Sequence, residues 1–247
     1  LAPCANTNTR QGRQLRQLLS WSERLLWEEL GLPLPAVEVA QAKSNLGRDG
    51  FMVSLHGVPT IQGVVPSSQV VALAPRATLE SAGVQPQGEA SLPGVAPPAW
   101  LVPEAAAATL RTSGLELLEG PALLALHLTD TVRRHAPELL GVQETQDLLD
   151  LLGRSRPALV QEVVPRRLSL PDLSLLLGEL VAEEVSIRDL GQVLEAVASL
   201  RGDIPCPPAL TELVRRHMGR AISTRLAARD GTLRALRLDP AVEEILA

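Results

Sequence analysis

The chain has 247 residues, 45% of them hydrophobic and 21% charged. That is enough apolar material to bury a substantial core in two or more compact units, and it excludes an intrinsically disordered polypeptide. With one Phe, no Tyr, three Trp and a net charge of −5, the core must be built from Leu, Val and Ala, and neither base stacking nor phosphate neutralisation supports generic nucleic-acid binding.

No apolar run reaches the roughly 18 residues of a spanning helix, and the start lacks a charged-then-apolar signal pattern, which predicts a soluble chain. Cys4 and Cys206 stand far apart in no metal or redox spacing. They fit free thiols in a reducing cytosol.

Residues 1–9 carry no pattern beyond a possible short strand. From Arg10 to Leu30 the positions Leu15, Leu18, Leu19, Leu25, Leu26 and Leu30 follow helical spacing, and Gly31 supplies a C-terminal cap. The basic start of this helix, Arg10, Arg13 and Arg16, reads either as a solvated face or as a contact for lipid headgroups or an acidic partner. PAVEVAQ reads as a strand, followed by a hairpin in which Phe51, Val53 and Leu55 alternate and His56-Gly57-Val58-Pro59 turns the chain back. VVALAP, Val70 to Pro75, predicts another strand, so this part is a small α+β unit. His56 has no second ligand in metal spacing and reads as an exposed turn residue.

Residues 76–103 are rich in Pro, Gly, Ala and Ser. The plain reading is a linker; the alternative is a groove in which Val95 and Trp100 act as apolar anchors. Glu104–Thr112 predicts an alanine-rich helix stopped by Gly114, LELLE a short strand, and Pro121–His135 a further helix with Arg133 and Arg134 in its last turn. His127 and His135 lack the one-turn spacing of a helical zinc site and read as satisfied or exposed.

The stretch Leu139 to Leu200 is helical in pattern throughout. Leu148, Leu149 and Leu152, then Leu173, Leu176, Leu177 and Leu180, then Leu190, Val193, Leu194 and Val197 each form one apolar stripe. Pro157, Pro165 and Pro171 break the pattern, and Ser169-x-x-Asp172 and Ser186-x-x-Asp189 resemble capping boxes, so several short helices pack together. Glu183 and Glu184 are adjacent and point in different directions around a helix, a solvated face rather than an acid/base pair. LRGDIPCPPAL is a turn, a helix follows from Pro208 with Leu210, Leu213, Val214, Met218 and Ile222, and the final residues read as a turn, a strand and a helix opened by Asp239-Pro240.

No phosphate-binding glycine loop, dinucleotide fingerprint, two-His zinc helix or calcium loop occurs, and Gly153-Arg154-Ser155-Arg156 misses the nucleophile-elbow pattern because Pro157 stands where its closing glycine belongs. The expectation is a non-enzyme without metal or cofactor.

The wording GVQETQDLLD, ALVQEVVP and VSIRDLGQVLEAV resembles the cytoplasmic part of the export-gate family of bacterial type III secretion systems, in its flagellar and injectisome branches. LWEELGLPLP, MVSLHGVP, HLTDTVRRHAPELL, VRRHMGRAIS and GTLRALRLDPAVEEIL extend the resemblance over nearly the whole chain. VQET and the last segment are closer to the injectisome branch. The resemblance implies an α+β, multi-subdomain fold: a small ferredoxin-like unit from residues 1–66 and 120–139, a small subdomain inserted at 67–119, an all-helical subdomain at 140–219, and the beginning of a further α/β subdomain at 220–247.

It also implies a cytoplasmic ring of nine copies at the inner membrane, attached through a membrane region that this sequence lacks, docking secretion chaperones with their substrates, a gatekeeper and other export-apparatus proteins, and ordering export. Ring contacts in the family are chiefly charged and in the helical subdomain, which makes Arg166, Arg167, Glu183, Glu184, Arg188 and Asp189 the candidate interface, with Arg188 and Asp189 foremost; Asp189 reads alternatively as a helix cap. Flagellar members dock chaperones through an Asp-Pro-Ala-Phe-Gly wording and a threonine before His-Leu. Here SLPGVAPPAW and Leu126 stand at those places, leaving Val95, Trp100 and Leu126 as the candidate partner surface. A stand-alone helical scaffold or adaptor without a secretion role is the alternative reading.

Overall fold

A computed structural model describes residues 9–40, 46–47, 49–96, 98–206, 208–228 and 230–233. The chain divides into two compact units, Leu1–Leu139 and Leu140–Ala247. The fold is α+β, and among the described residues no helix is long and apolar enough to cross a membrane.

The first unit opens with α1, Arg10–Leu30, closed by Gly31 in the left-handed conformation that glycine adopts without steric cost. The Thr9 hydroxyl caps its start by accepting from the Gly12 amide at 3.0 Å. Strands β1 (Gly50–Leu55) and β2 (Val58–Val64) pair antiparallel with a bulge at Val53/Ser54. The turn is narrower than the four residues expected: Val58 and Pro59 already pair in the ladder, and only His56 (φ 50°) and Gly57 (φ 79°) turn, both with the positive φ that a two-residue hairpin requires. Across the ladder Phe51 faces Gly63, and a Cβ on Gly63 would stand 2.6 Å from the Phe51 ring. Glycine there makes room for the one phenylalanine.

The segment PAVEVA, expected as a strand, is irregular over residues 35–40. It has alternation, but Pro35 at its first position and Pro33 two residues earlier remove amide donors from any ladder at its start.

The Pro-rich stretch is not a linker. β3 (Gln69–Ala72), α2 (Arg76–Ser81), β4 (Gly88–Glu89), β5 (Trp100–Pro103), α3 (Ala107–Thr112, entered through a 3-10 turn at Glu104–Ala106) and β6 (Leu117–Leu118) are one folded layer. Their four-stranded sheet has the order β4-β5-β3-β6, so β5, emerging directly from the prolines, lies inside it. Proline is accommodated because it sits in the approach to β5 and at its last residue, where few ladder bonds are lost.

The sheet buries both faces, and the two-residue period of a strand separates them. Val70, Ala72 and Val102 face one cluster with Leu79, Ala107 and Leu110. Val71 faces the other, with Phe51, Val65, Ala99 and Leu123. That second cluster joins the hairpin to α4, Gly120–Arg134. Against α1, the helix α4 contributes Ala125 and Leu124 packed with Leu15, Leu18 and Leu19. A buried hydroxyl pair crosses the same contact: Thr129 Oγ1 donates to Ser22 Oγ at 2.9 Å or to the Ala125 carbonyl at 2.7 Å. Arg133 pairs with Glu29 at its end.

The second unit is helical among its described residues: α5 (Val142–Gly153), α6 (Pro157–Val163), α7 (Leu170–Ala182), α8 (Leu190–Ser199), α9 (Ala209–His217) and α10 (Gly219–Leu226). Pro157 and Pro171 stand in the first turns of α6 and α7, where their missing amides cost nothing. Ser169 caps α7 by accepting from the Asp172 amide. The second expected capping box is shifted: Ser186 accepts from the Arg188 amide two residues on, and α8 is capped by Asp189 itself, whose carboxylate accepts from the Gln192 amide at 3.2 Å. Serine at 186 lies a full turn too early to reach the helix.

The GVQET wording has a local reason. The Glu144 carboxylate reaches back to the Gly141 amide at 3.0 Å, and the buried Thr145 hydroxyl donates to the Gly141 carbonyl at 2.9 Å. The core is aliphatic: Leu173, Leu176, Leu177 and Leu180 of α7, Val193, Leu194 and Val197 of α8, and Leu210 and Val214 of α9 are all buried. Burying each such side chain contributes on the order of 2 kcal/mol before entropy is counted. The strand and helix expected after residue 233, a possible strand at the first residues, and Cys4 lie outside the described residues; Cys206 is an exposed free thiol.

Candidate interaction surfaces

The six charges proposed for an interface occupy the loops and helix ends of the second unit, and most already have partners within the chain. Arg166 forms an exposed pair with Glu162 one turn earlier on the same segment, 3.3 Å away. Arg167 is half-buried and does something different. Its two terminal nitrogens donate to the carbonyls of Ala198 and Leu200, both at 2.5 Å, closing the C-terminal end of α8. A guanidinium satisfies two orphan carbonyls there and lies at the negative end of the helix dipole.

Glu183 pairs with Arg215 of α9 at 2.8 Å. Glu184 has φ 57°, and its carbonyl accepts from Arg225 of α10 at 2.6 Å. Asp189 is the α8 cap, and its second oxygen accepts from the Gln192 side chain at 3.0 Å. This leaves the Glu184 carboxylate and the Arg188 guanidinium, both exposed, without side-chain partners among the described residues. They sit on the one loop between α7 and α8.

In the first unit, the three proposed partner-binding side chains come from three elements. Trp100 begins β5 and packs on the Val70, Ala72, Val102 cluster. Its indole nitrogen is buried with no hydrogen-bond partner among the described residues, and the Arg76 guanidinium lies 5.7 Å from the ring centroid. That distance is within the range of a cation–π contact. Trp100 is therefore a structural member of the sheet before it is an anchor for anything else. Val95 is half-buried on the loop before β5, and Leu126 is half-buried on α4.

His127, next to Leu126, is neither satisfied nor exposed as expected. Its Nδ1 is buried without a partner among the described residues, and the ring lies 5.0 Å from Phe51, tilted by 41°. Burial pushes its pKa below the ordinary value of 6.5, and the nearby Asp130 carboxylate pulls it back in part. Nothing in the spacing of HLTDT announces this, because the burying partner is the hairpin, more than 60 residues away in sequence. His135 is satisfied by Glu138 at 2.8 Å, and His56 is exposed at the hairpin turn, both as expected.

This two-unit α+β molecule, with a small four-stranded sheet in one unit and an aliphatic helical block in the other, is similar in fold to solved components of protein-export machines. The structure of CdsV from Chlamydia pneumoniae superposes with a TM-score of 0.84 at 26% identity, covering 94% of this chain and 69% of that one. The cytosolic domain of EscV from a type III secretion system, solved as a nonamer, gives a TM-score of 0.61 at 25% identity over 86% of this chain and 62% of that one. In sequence, the flagellar biosynthesis protein FlhA of Bacillus subtilis is 29% identical over 247 residues, all of this chain and 36% of that protein. Residues 2–247 match the model of the FHIPEP family, and the chain belongs to that family of export-apparatus proteins. It spans about a third of the length of the curated relatives it matches.

Proposed function

We propose that this chain is the ring-forming cytoplasmic part of a type III export gate of the injectisome branch, stationed on the cytoplasmic side of the inner membrane. It docks chaperone-bound substrates, orders their export, and acts without catalysis. In this reading residues 1–66 with 120–139, 67–119, 140–219 and 220–247 are the first three subdomains and the start of a fourth.

The observation that carries the proposal is the likeness to EscV, whose cytosolic domain is a nonamer, over most of the present chain. CdsV, another structural relative, has been solved in complex with CdsO, which supports a surface used by further components. The helical unit supplies the ring contact. Glu184 and Arg188, exposed and without side-chain partners among the described residues, lie on one loop and supply one side of a head-to-tail contact, whose complementary patch lies elsewhere on the protomer.

Light scattering over a wide concentration range, and again with the chain tethered at high density on vesicles, tests assembly; tethering supplies the effective concentration that membrane attachment would give. Assembly that Arg188→Glu abolishes is the expected result. A strict monomer under both conditions sinks the ring. Docking is tested separately, by pull-down of chaperone–substrate pairs with this chain and with one carrying Trp100→Ala; capture of free substrates and bare chaperones equally well would remove the docking role.

A further inference from the structure

We propose that the β1–β2 hairpin is a pH-sensitive flap, held on α4 while the His127 ring is neutral and released when that ring takes up a proton.

The hairpin is attached to the first unit chiefly through side chains. β1 and β2 form a sheet of their own, apart from the four-stranded one, and a ribbon of two strands is marginal by itself in water. One apolar face holds it: Phe51, Val53 and Ile61 pack with Val71, Ala99 and Leu123. On the outside Met52, Val58 and Val64 are exposed, so little is lost there when the ribbon moves.

His127 belongs to that attachment. Its ring centroid is 5.0 Å from that of Phe51, and its Nδ1 is buried with no hydrogen-bond partner among the described residues. A neutral imidazole has one nitrogen without a proton, so a buried Nδ1 then leaves only a lone pair unsatisfied. In the imidazolium both nitrogens are donors, and a charged N–H is left in the apolar contact without an acceptor. Moving the hairpin away lets water supply one.

The charges around the ring oppose this only in part. β1 and β2 carry no ionisable side chain; His56 is exposed at their turn, and Asp49 stands at the foot of β1. From α1, the polar groups that meet α4 are Ser22, bonded to Thr129, and Glu29, paired with Arg133. The four-stranded sheet turns only apolar side chains to this cluster. On α4 itself Asp130 favours the charged ring, but it also pairs with Arg134 at 2.8 Å, and burial of the imidazole outweighs it. The face of Phe51 attracts a cation too, a pull in the same direction as that of Asp130.

The open form therefore binds the proton more readily than the closed one. The flap is closed above about pH 6.5 and opens progressively as the pH falls. Opening uncovers Phe51, Val71 and Leu123, an apolar patch one helical turn from Leu126, whatever role the chain has in export.

Amide hydrogen exchange of the full chain, read by mass spectrometry at about pH 7.5 and about pH 5.5 and corrected for the intrinsic exchange rate at each pH, tests the flap. Protection of residues 50–64 is expected to fall about threefold or more at the lower pH, while β3, β5 and α1 change less than about twofold. His127→Leu should remove the pH dependence of the hairpin. Asp130→Asn, which takes away a group that favours the imidazolium, should keep the flap and move its opening to lower pH. Loss of protection spread evenly over the first unit, a hairpin response that survives in His127→Leu, an onset that Asp130→Asn leaves in place, or hairpin protection that rises on acidification overturns the proposal.

Discussion

The two units of this protein reach stability by different routes. In the helical unit each element carries its own instructions: a stripe of leucines, a proline in the first turn, a capping Ser169 or Asp189. In the first unit the strands are short, two of them only two residues long, and the sheet order β4-β5-β3-β6 joins segments distant in sequence. A helix closes its hydrogen bonds within itself, whereas a strand of this length has none until its partner arrives. The difference teaches where mutations act locally and where they propagate.

The comparison can be followed by spectroscopy, because Trp21, Trp27 and Trp100 all lie in the first unit. Tryptophan fluorescence then reports that unit, while far-ultraviolet circular dichroism sums the helices of both units. The largest effect is expected for Leu177→Ala, a fully buried member of α7. It should destabilise the helical unit by about 2–5 kcal/mol, seen as an earlier urea transition in circular dichroism ahead of the fluorescence transition; coincident shifts would show that the two units unfold as one.

Arg167→Ala should follow, at about 2 kcal/mol from two charge-assisted bonds to carbonyls at the end of α8. Urea melts against Arg166→Ala check it, since the exposed Arg166–Glu162 pair contributes at most about 0.5 kcal/mol. Equal effects for the two arginines would overturn the capping assignment. In the first unit Gly63→Ala forces the Phe51 ring off its place and should lower stability by about 1–3 kcal/mol, read by fluorescence and relieved when combined with Phe51→Leu.

The smallest effect is a pH dependence. The folded state holds His127 below its ordinary pKa, so the unfolded chain binds the proton more readily. The stabilisation is complete above about pH 6.5 and is lost progressively as the pH falls toward the lower folded value. His127→Leu should flatten the fall in fluorescence-monitored melting temperature between about pH 7.5 and about pH 5.5. An unchanged slope would assign the dependence to other groups.

The candidate surfaces divide along the same line. That charged residues of the Arg166–Asp189 region lie at helix ends was readable from the caps. Which of them are already engaged was not, because Arg167 finds its carbonyls more than 30 residues away and Glu183 finds Arg215 on another helix. Trp100 was singled out for its setting among prolines, yet the same strand places it in the sheet with Arg76 over its ring. The orphan nitrogen of His127 had no local signal at all.

By itself the sequence determined the helices, their starts and stops, the hairpin and the family resemblance. Each rests on interactions within about one helical turn or one tight turn, or on wording that survives as a string. The tertiary structure decided what a string cannot hold: that the Pro-rich stretch is a sheet and not a linker, that Arg167 closes the end of α8, and that the His127 ring is buried beside Phe51. Those depend on which distant group arrives to pair a strand, fill a glycine's space or face a charge, and only the folded chain brings the two together.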